Sequence, residues 1–126
     1  MGEQQVYSAI GQAGFERLTD AFYRQVPADD VLGPMYPAHD LENAKRRLRN
    51  FLIFRFGGPQ TYIEERGHPR LRMRHVPFAI GQNARDRWLE LMTRALDEAA
   101  IPDEPRQILQ SFFESTSTFL MNRPGA

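Results

Sequence analysis

The sequence predicts an all-α fold, and three features of the chain support this prediction. Apolar residues recur at helical spacing in four long stretches, which is typical of helices that bury one face. Glycine and proline breakers separate these stretches, and no alternating strand pattern lies between them. The chain has 126 residues and contains no repeat, low-complexity tract or internal linker. We therefore expect residues 1–126 to form one helical domain.

Two helices are predicted in the first part of the chain. The first covers residues 4–11 and ends at Gly11, and the second covers residues 14–26. The apolar face of the second helix is made by Phe15, Leu18, Phe22 and Val26. The segment 27–30, which begins with a proline, then breaks the helix.

The middle of the chain predicts one long helix and a short one. Asp40 is expected to cap a helix that runs to Phe56, because its carboxylate can accept hydrogen bonds from the first turn. The segment Gly57-Gly58-Pro59 ends this helix. Residues 60–70 predict a short helix and an extended, arginine-rich connection, which leads into a turn that carries His75.

Two further helices are predicted over residues 82–99 and 103–121. The inward stripe of the first is made by Trp88, Met92 and Leu96, with Leu89 beside it. The inward stripe of the second is made by Ile108, Phe112, Phe119 and Leu120. Helical periodicity is good throughout both segments.

Composition narrows the class of protein. Sixteen basic and sixteen acidic residues cancel, so no global charge favours nucleic acid as a partner. The chain has no cysteine, which excludes disulfides and thiolate metal sites. Its apolar runs are far shorter than the roughly 20 residues of a membrane helix, and its polar start lacks the secretory pattern. We expect a cytoplasmic protein without membrane insertion.

Arginine is concentrated in two clusters. The chain has a single lysine, and its arginines group at positions 46, 47 and 49 and at positions 66, 70, 72 and 74. Arginine binds carboxylates and phosphates bidentately, so Arg47 and Arg74 are candidate clamps for anionic groups. The alternative is a solvated charged face, which suits most of the cluster.

His75 is the leading candidate metal ligand. It lies among apolar and arginine residues, a setting that suits an axial haem ligand whose opposite face stays open to a gas. The alternative is a hydrogen-bonded structural histidine. A zinc site shared with His68 is disfavoured. If this segment is helical, seven residues separate His68 and His75 by about 10.5 Å along the helix axis. One zinc ion cannot bind both side chains across that distance. His39 is expected at the surface.

An apolar helix face and three polar aromatics could form a pocket. On the residue 41–56 helix, Ala44, Leu48, Phe51 and Leu52 share one face, against which a flat apolar ligand could lie. Simple packing against other helices is the alternative. Three aromatics with one donor each fall on or beside inward positions of separate segments: Tyr23, Tyr36 and Trp88. Their convergence would make a polar cage.

Several motifs in order and spacing resemble one family. They are Phe22-Tyr23, Met35-Tyr36-Pro37, Asp40-Leu41, Arg47-Leu48, Phe51-Leu52, Gly57-Gly58-Pro59 with Thr61-Tyr62, the run from Arg66 to His75, Pro77-Phe78, and Arg85-Asp86 with Trp88-Leu89. From Tyr7 to about Asn122, the chain resembles the truncated haemoglobins of the second group. This resemblance implies a globin-like, two-on-two α-helical sandwich around haem b.

The resemblance also implies residue roles around the iron. His75 would be the proximal ligand, and Tyr23, Tyr36 and Trp88 would surround the distal ligand. Ala44 stands where many globins carry a distal histidine, so hydrogen bonding to the ligand would fall to the Trp and Tyr donors. The remaining implied contacts are Ala44 and Leu48 on the distal side, Phe51 and Leu52 as haem supports, Met73, Phe78 and Met92 against the ring, and Arg47, Tyr62 and Arg74 at the propionates.

Two positions depart from the family pattern. Gln12 stands where a second glycine is frequent after the first helix, and Phe56 stands where tryptophan is frequent. The first departure affects a helix junction, and the second keeps aromatic bulk while it removes a donor. Neither position belongs to the implied iron site.

The implied function is binding of O2, CO or NO at a five-coordinate iron. Two donors in the pocket would slow ligand release, which favours peroxidase-like chemistry with peroxide, or NO oxidation, over transport. No nicotinamide or flavin fingerprint occurs in the chain, so turnover would need a separate reductase. The protein would be a monomer or a homodimer.

Three alternatives stay open at this point. The same pocket would serve O2 storage or gas sensing. A haem-free, globin-like interaction domain would have the pocket packed shut. A nucleic-acid module rests only on the arginine clusters, and the chain has neither net positive charge nor a reader motif.

Overall fold

The computed structural model describes residues 1–124 and confirms the all-α prediction. The last two residues of the expected domain lie outside the described residues. Within this range the chain forms six α-helices and no strand. The helices are α1 (Val6–Gln25), α2 (Leu41–Arg55), α3 (Thr61–Arg66), α4 (Leu71–His75), α5 (Gln82–Glu98) and α6 (Asp103–Phe119). Short 3-10 helices, Val26–Ala28, Gly33–Met35 and Ala38–Asp40, connect α1 to α2.

The predicted break at Gly11 is a kink inside α1 rather than the end of a helix. Gly11 has φ +67° and ψ 178°, which is not helical, and α1 continues on both sides of it. Glycine reaches positive φ without a steric penalty, so the sequence signal was real. The two predicted helices, residues 4–11 and 14–26, therefore share one kinked element.

Asp40 precedes α2 as predicted, but the prediction that its side chain caps the helix is wrong. Its carboxylate makes no capping hydrogen bond and instead accepts one from Arg47 Nη2 at 2.9 Å. The reason is backbone geometry. Asp40 closes a 3-10 helix and has φ −109° and ψ 2°, not the extended conformation that aims a capping side chain at the first turn.

The end of α2 is set by a glycine that no other residue can replace without a shift. Gly57 has φ +97°, and a Cβ atom at this position would lie 2.0 Å from the carbonyl oxygen of Gln4. Gln4 Nε2 in turn donates a hydrogen bond to Arg55 O at 3.0 Å. The stop after α2 therefore also holds the start of the chain.

Packing arranges the four long helices as two pairs. α1 packs along both α2 and α5, and α5 packs on α6. Side chains that are fully buried between them include Phe15, Leu18 and Phe22 of α1, Leu91, Met92 and Leu96 of α5, and Leu109 of α6. The pairs α1–α2 and α5–α6 confirm the two-on-two sandwich. None of the helices in residues 1–124 has the length and apolar character needed to cross a membrane.

Candidate haem site

One cavity of about 370 Å³ receives side chains from all six α-helices. This volume falls in the range of roughly 300–1,000 Å³ that is usual for cofactor sites. His75 of α4 and the aromatic residues Tyr23, Tyr36 and Trp88 all line it. The fold therefore brings together in one cavity the four residues that the family resemblance implies around the iron and its ligand.

The His75 ring is oriented by its own helix. Its Nδ1 lies 2.6 Å from the carbonyl oxygen of Leu71, one turn earlier in α4. A carbonyl only accepts hydrogen bonds, so Nδ1 carries a proton, and in the neutral ring the lone pair lies on Nε2. The ring is half-buried, and its centroid lies 6.2 Å from that of Phe78. His75 thus presents the atom and tautomer that a metal ligand needs.

Asn122, just after α6, holds the segment that follows His75. Its Nδ2 donates to Phe78 O at 2.8 Å and to His75 O at 3.3 Å. Its Oδ1 accepts from Ile80 N at 2.9 Å, and its own N–H donates to Ile80 O at 2.8 Å. One side chain thereby ties the His75 segment to the end of α6.

Tyr23, Tyr36 and Trp88 belong to one aromatic cluster. The ring centroids of Tyr23 and Tyr36 are 5.6 Å apart in an edge-to-face arrangement. Phe22, which is fully buried, lies 5.0 Å from Tyr23 and 5.3 Å from Trp88. Trp88 also packs on Phe113 at 5.4 Å. We call Phe22, Tyr23, Tyr36, Trp88 and Phe113 the aromatic cluster.

Both tyrosines of the cluster stay protonated at neutral pH. Burial raises the pKa of Tyr23 well above its ordinary value, and the neighbouring Tyr36 raises it further. Burial also raises the pKa of Tyr36. A hydrogen bond with the Trp88 side chain and the charge of Arg47 lower this pKa, but burial has the larger effect. Each hydroxyl therefore remains a hydrogen-bond donor.

The apolar face of α2 forms another wall of the cavity. All four residues of the predicted stripe line it: Ala44, Leu48, Phe51 and Leu52. Ala44 is 8 % exposed, and Leu52 is fully buried. Phe51 packs edge to face on Tyr62 at 5.5 Å. Side chains from this helix could support a flat apolar group.

The candidate anion-binding residues also line the cavity but differ in what holds them. Arg47 is paired with Asp40, and Tyr62 is buried. Arg74 donates from Nε to Pro69 O at 2.7 Å and from Nη2 to Arg66 O at 2.8 Å, so its guanidinium holds the backbone before α4. Arg47, which pairs with one side chain, has more freedom to bind another carboxylate than Arg74, which is bound to backbone carbonyls.

Met73 and Met92 do not line the cavity. Met92 is 1 % exposed and packs in the core. Met73 is 57 % exposed, because a residue two positions before His75 lies roughly 200° around the helix from it. Phe78 does line the cavity, although it is 40 % exposed. His39 and His68 are exposed, and His68 Nδ1 accepts a hydrogen bond from Arg70 N.

Sequence reasoning missed about half of the lining. The missed residues are Leu32, Met35, Pro37, Asp40, Arg66, Leu71, Ile80, Ala84, Arg85, Phe112, Phe113, Thr116, Ser117 and Leu120. Helical spacing could have found Leu71 and Ala84, which lie four residues before His75 and Trp88. Phe112 and Leu120 were predicted to face inward but not to reach the site.

These features fit a haem group bound through one protein ligand. The neutral His75 ring offers an Nε2 lone pair beside apolar walls, and polar donors occur at the aromatic cluster. Residues 1–124 contain no group of three His, Cys, Asp or Glu side chains that could hold a metal ion by themselves. A metal carried in a macrocycle and completed by one histidine agrees with this donor set.

Comparisons with known proteins agree with this class of site. A family model described as bacterial-like globin matches residues 5–122. The group 2 truncated hemoglobin YjbI of Bacillus subtilis is 38 % identical over 120 residues, which are 95 % of this chain and 90 % of that protein.

Two crystal structures are similar to the whole fold. The hemoglobin of the thermophilic phototroph Chloroflexus aurantiacus is 50 % identical, with a TM-score of 0.90 over 94 % of this chain and 98 % of that chain. A truncated oxygen-avid haemoglobin from Bacillus subtilis is 38 % identical, with a TM-score of 0.88 over 93 % and 98 %.

The fold and these comparisons identify the chain as a globin. The chain belongs to the bacterial-like globin family and, within it, to the group II truncated haemoglobins. Haem-based binding of diatomic gases is the property common to this family.

Proposed function

We propose that the chain binds haem b through His75 and retains O2, CO or NO with hydrogen bonds from the aromatic cluster. The observation that supports this most is that one cavity is lined by His75 together with the donor residues Tyr23, Tyr36 and Trp88. When bound, haem would supply an iron that binds a gas.

Each residue of the site has a proposed task. The Leu71 carbonyl orients the His75 ring through Nδ1, so that Nε2 would be left to bind the iron. Ala44 and Leu48 would line the gas side, while Phe51, Leu52 and Phe78, which line the same cavity, would contact the macrocycle. Arg47 and Tyr62 hold the propionates, and Arg66 joins them because its side chain lines the same cavity. Arg74 positions the loop before α4.

The aromatic cluster favours slow release of the gas over transport. The indole N–H of Trp88 and one tyrosine hydroxyl each contribute about 1–1.5 kcal/mol to a ligand with partial negative charge. Two such bonds lengthen its residence by roughly 30- to 150-fold. A relative in Bacillus subtilis is described as oxygen-avid, which agrees with this direction.

The test of the cluster is the rate of O2 release from the Trp88→Phe variant. Loss of one donor should speed release about tenfold, since 1.4 kcal/mol corresponds to a factor of ten. Tyr7→Phe is the matched control, because Tyr7 does not line the cavity and its loss should leave the rate unchanged. Equal release rates for Trp88→Phe and the parent would contradict the proposed role.

A chain that holds O2 tightly suits redox chemistry, and we infer a peroxidase-like or NO-oxidising role. The same donors that retain O2 polarise a bound oxidant. This role requires an external electron donor, because the chain carries no nicotinamide or flavin fingerprint. Consumption of NO by the O2-loaded protein, compared with the Trp88→Phe variant, tests it. Equal rates of NO consumption with and without the protein would exclude the NO-oxidising role.

A further inference from the structure

Positive charge is concentrated around the His75 segment. Residues 66–85 contain five arginines and neither aspartate nor glutamate, although the chain as a whole carries no net charge. The rest of the chain is therefore acidic. This part of the molecule presents a local field that the overall composition conceals.

Exposed apolar side chains occur in the same region. Within residues 1–124, five large apolar residues are exposed, and only Met1 lies elsewhere. Val76 is 64 % exposed, Met73 57 % and Phe119 54 %. The Arg72 guanidinium lies 5.1 Å from the centre of the Phe119 ring, so α4 and the end of α6 share this face. Contacts of this kind, arginine with large apolar groups, are typical of protein interfaces.

We call Arg70, Arg72, Met73, Val76 and Phe119 the α4 surface. None of the ion pairs within residues 1–124 involves the guanidinium of Arg70 or Arg72. Arg74 and Arg85 differ, because Arg74 is bound to backbone carbonyls and Arg85 to Asp86. The two arginines of the α4 surface are thus available to an outside partner.

We propose that the α4 surface docks an acidic one-electron carrier protein, which serves as the reductant of the haem. This inference rests on the proposed function and names the partner that it requires. One electron leaves the reduced carrier and converts ferric iron to ferrous iron, and no bond or proton is transferred. Val76 is bonded to His75, so the docked carrier lies at the side chain that holds the metal.

Charge and chemistry favour this partner over a second copy of the chain. If two copies met through their α4 surfaces, four unpaired arginines would come together, and their like charges would repel each other. An acidic carrier neutralises them, and its approach is accelerated by the attraction. Transient redox complexes bury little area, so a surface with a few exposed apolar groups and an arginine rim is sufficient.

The test measures how fast a reduced, acidic [2Fe–2S] ferredoxin reduces the ferric, haem-loaded protein at low ionic strength. Arg70→Glu/Arg72→Glu should slow the bimolecular step at least tenfold, because charge reversal at a rim acts on association. Raising the salt concentration should slow the parent and narrow this difference.

The matched control is Arg24→Glu/Arg94→Glu. It makes the same change of charge at two exposed arginines, whose side chains are 63 % and 61 % exposed, outside the α4 surface. Its rate should stay within about twofold of the parent. Val76→Ser tests the apolar part and should slow the step less than the charge reversal.

A binding titration separates docking from electron transfer. Oxidised ferredoxin added to the CO-bound protein cannot reduce it, so any shift of backbone amide resonances reports binding alone. We expect shifts at Arg72, Met73, Val76 and Phe119, and none when a basic carrier, cytochrome c, replaces the ferredoxin.

Three results would overturn the proposal. One is a charge-reversed variant that is reduced as fast as the control variant. Another is a set of α4 shifts that follows protein concentration alone, which means self-association. The third is a response to anionic vesicles or DNA but not to ferredoxin. Dithionite reduces the protein without a partner, so normal CO binding under dithionite would show that only the docking proposal fails.

Discussion

The two sides of the cavity are built very differently. The aromatic cluster lies mainly on α1, α5 and α6, which are 20, 17 and 17 residues long, and Phe22 at its centre is fully buried. His75 lies on α4, which has five residues, none of them buried. A few hydrogen bonds hold this segment: His75 Nδ1 donates to Leu71 O, Arg74 Nε donates to Pro69 O, and Asn122 Nδ2 donates to His75 O. The proposed donors for a gas are thus fixed by core packing, and the proposed metal ligand by polar contacts.

Removing the centre of the aromatic cluster should have the largest effect. Phe22→Ala deletes a fully buried ring that touches Tyr23 and Trp88, and should lower the free energy of unfolding by about 3–5 kcal/mol. Val76→Ala, on the His75 side, should change it by less than about 0.5 kcal/mol. Urea unfolding measures both. Similar losses of unfolding free energy for the two variants would contradict the proposed difference between the two sides of the cavity.

Asn122→Ala should loosen the His75 side without unfolding the protein. The Ile80 amide loses its acceptor, and the carbonyls of His75 and Phe78 lose a donor. At about 1–3 kcal/mol for such a loss, amide exchange at Ile80 should accelerate about tenfold or more. Exchange at buried amides of α1 should not change. The control is Asn83→Ala, which changes an exposed residue of α5. Equal exchange rates of the Ile80 amide in both variants would contradict the proposed role of Asn122.

Ionisation of Asp29 should make the stability of the fold depend on pH on the aromatic side of the cavity. Burial raises the pKa of Asp29, but hydrogen bonds from Leu32 N, Arg87 and Val31 N outweigh it and hold the pKa below its ordinary value. The ionised form therefore stabilises the fold above a pH of about 4, and this contribution is lost as the pH falls through the lower folded pKa. Asp29→Asn should cost about 1 kcal/mol at pH 7. The parent and variant should converge in acid, and a constant difference in stability down to pH about 2 would contradict this assignment.

The smallest expected effect is that of pH on O2 release, because neither tyrosine of the aromatic cluster should ionise near neutral pH. The raised pKa values of Tyr23 and Tyr36 keep both hydroxyls protonated, so O2 release should not change between pH about 7 and 9.5. Stopped-flow release rates across this range provide the measurement. A step that disappears in Tyr36→Phe would mean that a cluster tyrosine ionises there.

The long helices could be predicted closely because their periodicity is local. Residues 82–99 and 103–121 were predicted, and α5 and α6 cover Gln82–Glu98 and Asp103–Phe119. The Gly11 signal was also local, although it marks a kink. The Asp40 cap failed because the preceding 3-10 helix, which has no clear sequence pattern, determines the conformation of Asp40.

The cavity could be predicted only in part, for a similar reason. Residues on one helix face, such as Ala44 and Leu48, follow from spacing, and Tyr23, Tyr36 and Trp88 from chemical type and the family resemblance. Leu32 and Ile80 lie in connections, and Thr116 reaches the cavity only because α6 docks on α5. Their place depends on tertiary packing, which no single segment encodes.

The central claim is that His75 completes a haem site that is open to a gas. The most direct measurement is the visible spectrum of the haemin-loaded, dithionite-reduced protein before and after CO, for the parent, His75→Ala and His68→Ala. We predict a Soret band with a clear CO shift in the parent. His68→Ala should behave like the parent, because His68 is exposed. In His75→Ala the Soret band should be weakened or lost. No Soret band in the parent, or an unchanged spectrum in His75→Ala, would contradict the account.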